Sequence, residues 1–292
     1  MQVVFHIGAH CTSGGMLVRS LLKNRDVLAH EGVAVPGPGR YRRTIMEAIK
    51  ILRGAPAAIE AQDVLLDAVL DDDAVERVIL SSDNFICPRS KVLEHGELYP
   101  RIEKSAWLRN AFPAAEVGFA IALRNPATFL PALYDTLGGD NQGQGSFLSG
   151  TDPRDLAWAD VIEGIIDANP EADILVWCDE DAPILWAEIM RELCGLDSSV
   201  PLDGGDDLAR HILTEEGNRI LESTLGKHGP ETEAARRQII GDLLMAHAGI
   251  EEAEQVINLP GWTGDLIEEL TEAYDDDVAT ITRMPRVTLL AP

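Results

Sequence analysis

The sequence predicts an α/β protein, a three-layer fold in which helices cover both faces of a central parallel sheet. Two observations lead to this prediction. Short apolar runs rich in Val and Ile alternate with longer segments whose apolar residues recur at helical spacing. The chain also has 292 residues, of which 46% are hydrophobic, so it can bury a large core.

The individual elements follow from these patterns. The strand-like runs are residues 2–7, 76–81, 116–123 and 173–178, with Val33-Ala34-Val35 as a shorter candidate. Helical spacing covers residues 16–24, 42–53, 57–70, 101–111, 127–137, 155–168 and 182–194. Proline lies at or near the start of several of these helices, where its missing N–H costs little, at Pro56, Pro126, Pro153 and Pro183.

After residue 200 the pattern becomes helical. We predict an α/β domain over residues 1–200 and a helical C-terminal region over 201–292 packed on the same domain. Its helices are predicted at 207–225, 231–248 and 262–275, with one further β-run at 287–290. The Gly-rich segment 138–146 is predicted to be a loop, either a lid over a site or a surface connection.

Charge and composition exclude several classes of partner. Asp and Glu outnumber Lys and Arg by 49 to 24, and the net charge of -25 disfavours nucleic acid and anionic membranes. No segment approaches the roughly 20 apolar residues of a membrane span, which predicts a cytoplasmic protein. The cysteines, Cys11, Cys87, Cys178 and Cys194, lack metal-ligand spacing, so reduced thiols and no metal are expected. The oligomeric state is left open.

The opening of the chain has the pattern of an anion site. An apolar run ends at Gly8, and Thr12-Ser13-Gly14-Gly15 then leads into a helix that begins near Met16. Small residues let backbone N–H groups point inward, and a helix N-terminus adds unpaired N–H groups with partial positive charge. The alternative is an ordinary strand joined to a helix by a Gly/Ser turn.

Three segments of the chain resemble parts of a known enzyme family. The run from His6 to Gly15 has His6, Gly8 and Thr12 at the matching positions of a 5′-phosphosulfate loop, and so resembles sulfotransferases. The run from Val117 to Pro126 resembles the strand and Arg-x-Pro turn that bind the 3′-phosphate of the donor 3′-phosphoadenylyl sulfate (PAPS), and Tyr134 also fits. Residues 174–181, with their acidic turn, resemble a later strand of the bacterial members.

The resemblance implies a P-loop-like fold and transfer of a sulfuryl group from PAPS, without a metal, to a hydroxyl or amine. The acceptor would be a small molecule or a glycan. The residues implied to hold the 5′-phosphosulfate are Cys11, Thr12, Ser13, Gly14 and Gly15. Arg124 is implied to hold the 3′-phosphate, which its planar guanidinium can bind through two hydrogen bonds.

The chain departs from the family pattern at three places. Cys11 stands where the family has a Lys that stabilises the departing phosphate, Ala132 replaces a Ser, and Gly14-Gly15 replaces Thr-Thr. An alternative is therefore a catalytically inactive protein of the same fold that serves as a binding or interaction module. An ATP-dependent kinase is a third class, disfavoured because the loop has no Lys.

Two residues are candidates for proton transfer. Asp83 follows the strand at 76–81 and is predicted either to be the catalytic base or to cap the next turn. His10 is predicted to add positive charge at low pH, to act as a base, or to be merely exposed. His6, inside the first strand, is predicted to be a core histidine.

Two further features leave alternatives open. Cys11 is either a thiol activated by the helix N-terminus or an inert replacement of the Lys. The basic cluster from Arg40 to Arg43 either binds an anionic acceptor or makes salt bridges at the start of a helix.

Overall fold

A computed structural model of the chain describes residues 1–70, 74–138, 147–148, 150–226, 232–249, 259 and 261–292. Apart from Gly138, the loop predicted over 138–146 lies outside these residues.

The centre of the fold is a parallel six-stranded sheet with strand order β2-β3-β1-β6-β7-β8. Its strands are β1 (Gln2–His6), β2 (Val33–Ala34), β3 (Arg77–Ser81), β6 (Glu116–Leu123), β7 (Ile174–Cys178) and β8 (Val287–Leu290). A separate antiparallel pair consists of β4 (Leu93–Glu94) and β5 (Glu97–Leu98). Because β1 lies between β3 and β6, the loop that follows β1 emerges at the middle of the sheet.

Helices connect the strands. Those before β7 are α1 (Gly14–Leu22), α2 (Arg25–His30), α3 (Pro38–Leu52), α4 (Ile59–Val69), α5 (Ser105–Asn110), α6 (Pro126–Thr136) and α7 (Trp158–Ala168). Those after β7 are α8 (Ala182–Cys194), α9 (Asp207–Ile212), α10 (Glu215–Leu225), α11 (Glu233–His247) and α12 (Gly264–Ile281). Short 3-10 helices occur at Arg89–Lys91, Ile102–Lys104 and Pro153–Asp155.

Successive strand residues point to opposite faces of the sheet, and each face has its own core. Val3 and Phe5 of β1 pack with α3 to α7 and with α12. Val4 of β1 packs on the other face with α1, α2, α8 and α9. A third, smaller cluster joins α9, α10 and α11. The result is the predicted arrangement of a parallel sheet between two helical layers.

The order of the strands creates a crevice between β1 and β6. The chain leaves β1 through α1 and α2 on one face, and it leaves β6 through α6 and α7 on the opposite face. The two connections lead to strands on opposite sides of this pair. In open α/β sheets, ligands bind at such a switch point, beyond the carboxyl ends of the strands.

The strands predicted from the sequence are confirmed, and the β-run at 287–290 is β8, an edge strand paired with β7. The single helix predicted over 207–225 was wrong. The chain breaks at Leu213, where Asn218 Nδ2 donates to Leu213 O at 3.1 Å, and Thr214 caps a new helix by accepting from Gly217 N at 3.2 Å. Helix α2 was not predicted, and α12 runs six residues beyond the predicted end at 275.

Candidate anion-binding site

The first loop, residues 7–13, is fastened to β6 by backbone hydrogen bonds. Ala9 N donates to Ala122 O at 3.0 Å, and Ala122 N donates to Gly8 O at 2.8 Å. Gly8 has φ of 119°, a conformation that L side chains rarely adopt, so this turn requires glycine. The loop therefore begins beside the end of β6.

Within the loop, the chain closes on itself before α1 begins. Cys11 is left-handed, with φ of 57°, and the Thr12 hydroxyl donates to Ala9 O at 2.7 Å. Ser13 O accepts from Met16 N at 2.9 Å and so starts the helix. The Thr12 hydroxyl was predicted to contact a ligand, but its hydrogen is donated within the loop, to Ala9 O.

The two glycines at the start of α1 have different surroundings. A Cβ built at Gly14 would lie 2.7 Å from His6 Cε1, so this position requires a glycine for close packing. A Cβ at Gly15 would meet no atom within 4 Å. Gly14 therefore has a structural role, whereas Gly15 borders open space.

Arg124 lies at the end of β6 and contacts the first loop directly. Its Nη1 donates to Cys11 O at 2.5 Å, and its Nε donates to Thr128 Oγ1 at 3.1 Å. The backbone of Arg124 is held in turn by Trp158, whose Nε1 donates to Arg124 O at 2.8 Å. The two predicted anion-binding elements, 113 residues apart in the chain, are therefore brought together.

An acidic residue that the sequence analysis did not select completes this arrangement. Asp179 follows β7, and its Oδ1 accepts from Ser13 N at 2.9 Å. Burial raises the pKa of Asp179, and the hydrogen bond from Ser13 and the charge of Arg124 oppose this rise. The backbone N–H of Ser13, which was predicted to bind an anion, is thus already hydrogen-bonded to a carboxylate of the protein.

The next residue, Glu180, ties the second loop to the C-terminal helix. Its Oε1 accepts from Asn125 N at 2.7 Å, and Tyr274 of α12 lies 3.3 Å from its Oε2. Asn125 in turn caps α6, since its Oδ1 accepts from Ala127 N at 2.9 Å. The acidic turn after β7 therefore positions both the first loop and the turn that carries Arg124.

These residues border an open cleft of about 500 Å³. Ligand pockets commonly have volumes of about 300–1,000 Å³. The cleft lies at the β1/β6 switch point and is lined by residues of four segments, namely Cys11, Thr12, Ser13, Arg124, Thr128, Asp179, Glu180, Pro183, Leu208, His211 and Ile212.

On the other side of the first loop, toward β3, His10 is buried rather than exposed, with 1% of its surface accessible. Tyr99 OH accepts from His10 N at 2.9 Å and lies 2.8 Å from His10 Nδ1. Burial lowers the pKa of His10, and Asp83 opposes this shift. Burial therefore disfavours the charged form of His10, which was predicted to add positive charge at low pH.

Asp83 stands close to His10 but does not cap the turn after β3. That role belongs to Ser82, whose hydroxyl accepts from Asn84 N at 3.2 Å. Asp83 Oδ1 accepts from Asn84 Nδ2 at 2.8 Å, and its Oδ2 lies 4.0 Å from Arg89 Nη2. Its side chain is 34% exposed, so the carboxylate remains accessible as a proton acceptor.

The Cys11 thiol is not activated. Burial raises its pKa, and the 3.8 Å contact with Thr136 Oγ1 and the charges of Arg89 and Arg124 oppose the rise. Burial also raises the pKa of the other cysteines, to about 12 for Cys87, about 11 for Cys178 and about 12 for Cys194.

The basic cluster at residues 40–43 has largely structural contacts. Tyr41 OH donates to Ser81 O at 2.8 Å, and Arg42 Nε donates to the same oxygen at 2.9 Å. Arg43 forms an exposed ion pair with Glu47 at 2.8 Å. The cluster thus fastens α3 to the end of β3.

His6 and Tyr134 are core residues. His6 is 2% exposed, which confirms the core interpretation. Its Nδ1 lies 2.8 Å from Ser81 Oγ, and burial lowers the pKa of His6 to about 4. The Tyr134 ring packs against Phe147, with centroids 5.3 Å apart. The family-like Tyr therefore contributes to packing.

Three residues of the site escaped the sequence analysis. Asp179 carried a usable signal, because it follows a strand predicted to end at the same edge of the sheet. Arg89 and Tyr99 carried none, because Arg89 begins a short 3-10 helix and Tyr99 follows β5, both outside the main sheet.

Comparison with models of protein families and with curated proteins finds no match to this chain. Within the described ranges, no group of three or more His, Cys, Asp or Glu side chains is placed to hold a metal ion. No helix in the same ranges is long and apolar enough to cross a membrane.

Proposed function

We propose that this protein is a sulfotransferase-like protein that binds PAPS in the β1/β6 cleft and transfers its sulfuryl group to a hydroxyl or amine of a small molecule or glycan. One observation carries the proposal. The first loop and Arg124 meet at the switch point, where Arg124 Nη1 lies 2.5 Å from Cys11 O.

The residues of the cleft fit an anionic nucleotide in part. Arg124 supplies a fixed positive charge, and the left-handed turn at Cys11 leads the backbone into the N-terminus of α1. Asp179 competes with a bound anion, because its Oδ1 already accepts a hydrogen bond from Ser13 N at 2.9 Å. Its raised pKa reduces this competition, since a protonated Asp179 can release the amide without leaving a buried charge.

PAPS supplies the activated sulfuryl group, whose bond to the 5′-phosphate oxygen breaks as a bond forms to the acceptor oxygen or nitrogen. Asp83 takes the proton that the acceptor loses, and adenosine 3′,5′-bisphosphate is the product that leaves. Arg124 holds the 3′-phosphate and so orients the donor for transfer. The loop has no Lys to neutralise the leaving phosphate, so a low rate is expected.

Calorimetry with adenosine 3′,5′-bisphosphate tests the binding step. We expect binding by the wild-type protein and weaker binding by Arg124→Ala. Absence of binding at millimolar ligand would refute the proposal. Transfer is then followed as bisphosphate release from PAPS with a panel of hydroxyl and amine acceptors.

A second candidate is a non-catalytic protein of this fold, favoured by Cys11 at the Lys position and by the carboxylate on Ser13 N. It predicts bisphosphate binding without release from PAPS. The variant Cys11→Lys separates the two, because gain of PAPS turnover only in the variant indicates a site that lacks a single charge.

A further inference from the structure

Two buried N–H groups near Cys11 have no hydrogen-bond partner in the described part of the chain. They are Nε2 of His10 and Nε of Arg89. Buried polar groups are normally paired, and the exceptions in a folded protein require an explanation. Both residues lie on the β3 side of the first loop, and Arg89 affects the pKa of both His10 and Cys11.

The hydrogen bonds of Tyr99 determine which nitrogen of His10 carries the proton. The Tyr99 hydroxyl accepts from His10 N at 2.9 Å, and its own hydrogen is directed to His10 Nδ1 at 2.8 Å. His10 Nδ1 is then the acceptor, so the tautomer assigned from this pattern has its proton on Nε2. Burial lowers the pKa of His10 against the opposing effects of Asp83 and the Asn84 side chain, and it so favours the neutral ring, in which Nε2–H is an uncharged donor.

Arg89 adds a charged donor at the same place. It begins the 3-10 helix Arg89–Lys91, and its Nη2 lies 4.0 Å from Asp83 Oδ2. Burial raises the pKa of the Cys11 thiol, and the charges of Arg89 and Arg124 both oppose this rise. Arg89 therefore adds positive potential at Cys11 from the β3 side.

We propose that His10 Nε2–H and Arg89 Nε–H form, beside Cys11, a site for a tetrahedral oxyanion. A neutral and a charged donor can each bind one oxygen of such a group, and both are positioned before it arrives. If the proposed function holds, the oxyanion is the sulfuryl group of the donor, and Asp83 stands at the same place to receive the acceptor proton. Otherwise the same donors bind a free sulfate ion.

Protection of Cys11 from alkylation tests this site with inorganic sulfate as the probe. Cys11 is partly exposed and the other three cysteines are buried, so iodoacetamide modifies Cys11 first. Intact-mass spectrometry follows the rate, and Cys11→Ser identifies the signal. We expect sulfate to slow the reaction about fivefold at about four times its dissociation constant, relative to sodium chloride at equal ionic strength.

Variants of Arg89 test its part in the protection. Arg89→Ala is expected to abolish it, and Arg89→Lys, which retains the charge without Nε–H, is expected to weaken it. Lys91→Ala is the matched control, since Lys91 lies in the same short helix and pairs with Glu94 at 2.5 Å. Each protein is compared with and without sulfate, so a change in the intrinsic reactivity of Cys11 cancels.

The nucleotides distinguish the sulfuryl group from a free ion. Arg89→Ala is expected to weaken binding of PAPS about tenfold or more while leaving adenosine 3′,5′-bisphosphate unchanged, because only PAPS carries the sulfuryl group. Protection by sulfate without binding of either nucleotide supports the oxyanion site and refutes the proposed function. Equal protection in wild type and Arg89→Ala, or none in wild type, overturns the site itself.

Discussion

The two sides of the first loop differ in how their polar groups are satisfied. On the β6 side, Ser13 N is bonded to Asp179, and Arg124 is bonded to Cys11 O and Thr128. On the β3 side, His10 Nε2 and Arg89 Nε have no partner within the described residues. On one side of the loop, therefore, the polar groups of the cleft are hydrogen-bonded to one another. On the other side, two buried N–H donors have no partner among the described residues.

The difference indicates how each side would respond to an anion. A ligand on the β6 side must displace Asp179 before it can bind Ser13 N, so that amide adds little to its net gain. A ligand on the β3 side would satisfy donors that are buried without partners, so it gains more for each contact. The following predictions test this comparison.

The largest effect is expected from Arg124→Ala. Loss of its charge-assisted contacts should lower the affinity for adenosine 3′,5′-bisphosphate by about 30- to 100-fold, measured by calorimetry. Arg154→Ala is the control, because Arg154 has the same charge and is ion-paired on the surface with Asp152 and Glu269. Equal losses in the two variants would mean that only overall charge matters and that the β6 side has no specific site.

A packing test follows at the start of α1. Gly14→Ala should lower the free energy of unfolding by about 1–3 kcal/mol, because its Cβ would lie 2.7 Å from His6 Cε1. Gly15→Ala, with no atom within 4 Å, should leave stability unchanged or raise it by up to about 1 kcal/mol. Urea denaturation measures both. If the two variants behave alike, the loop does not rest on His6 as described.

The pH dependence of stability tests whether His6 is buried in its neutral form. Burial lowers its pKa from 6.5 to about 4, so between these values the unfolded chain binds a proton that the folded protein does not. The contribution of His6 to the free energy of unfolding is therefore fully present above pH 6.5, and it falls as the pH drops toward 4. From pH 7 to pH 5 the loss is about 2 kcal/mol.

Urea denaturation of wild type and His6→Gln at both pH values isolates this loss. The stability difference between the two proteins should shrink by that amount at pH 5, whereas exposed His30→Gln should show no such change. A difference that stays constant with pH would contradict the burial of a neutral His6.

The smallest effect is expected from Asp179→Asn. Removal of the carboxylate that faces Ser13 N should raise bisphosphate affinity about three- to tenfold by calorimetry. In wild type, affinity should increase as the pH falls, because a bound anion favours protonated Asp179, and the variant should lose this part of the pH dependence. Asp181→Asn, in the same turn, is the control. Unchanged affinity in Asp179→Asn would show that the Asp179 carboxylate does not compete with a bound anion for Ser13 N.

Much of the fold was predictable because the signals are local. Runs such as Val3–Phe5 and Ile174–Cys178 are continuous and apolar, as strands covered on both faces must be. The break at Leu213 was not predictable, because it depends on tertiary contacts that override a helical pattern, among them a bridge to Ala248.

The candidate site divides in the same way. The turn at residues 12–15 was selected from small-residue and helix-start signals, whereas Cys11 and Arg124 were selected from the family resemblance. The bond between Ser13 and Asp179 joins residues 166 apart, and the contact of His10 with Tyr99 joins residues 89 apart. No local pattern encodes such pairs, since they depend on which strands are neighbours.

By itself, the sequence determined most of the strands and helices, their alternation and the small-residue turn after the first strand, because hydrophobic periodicity and turn residues act within a few residues. The tertiary structure alone decided which donors near that turn are paired, that the pKa of His10 is lowered and that the pKa of the Cys11 thiol is raised. Those properties depend on burial and on charges from distant segments, and both exist only once the sheet has brought β1, β3, β6 and β7 side by side.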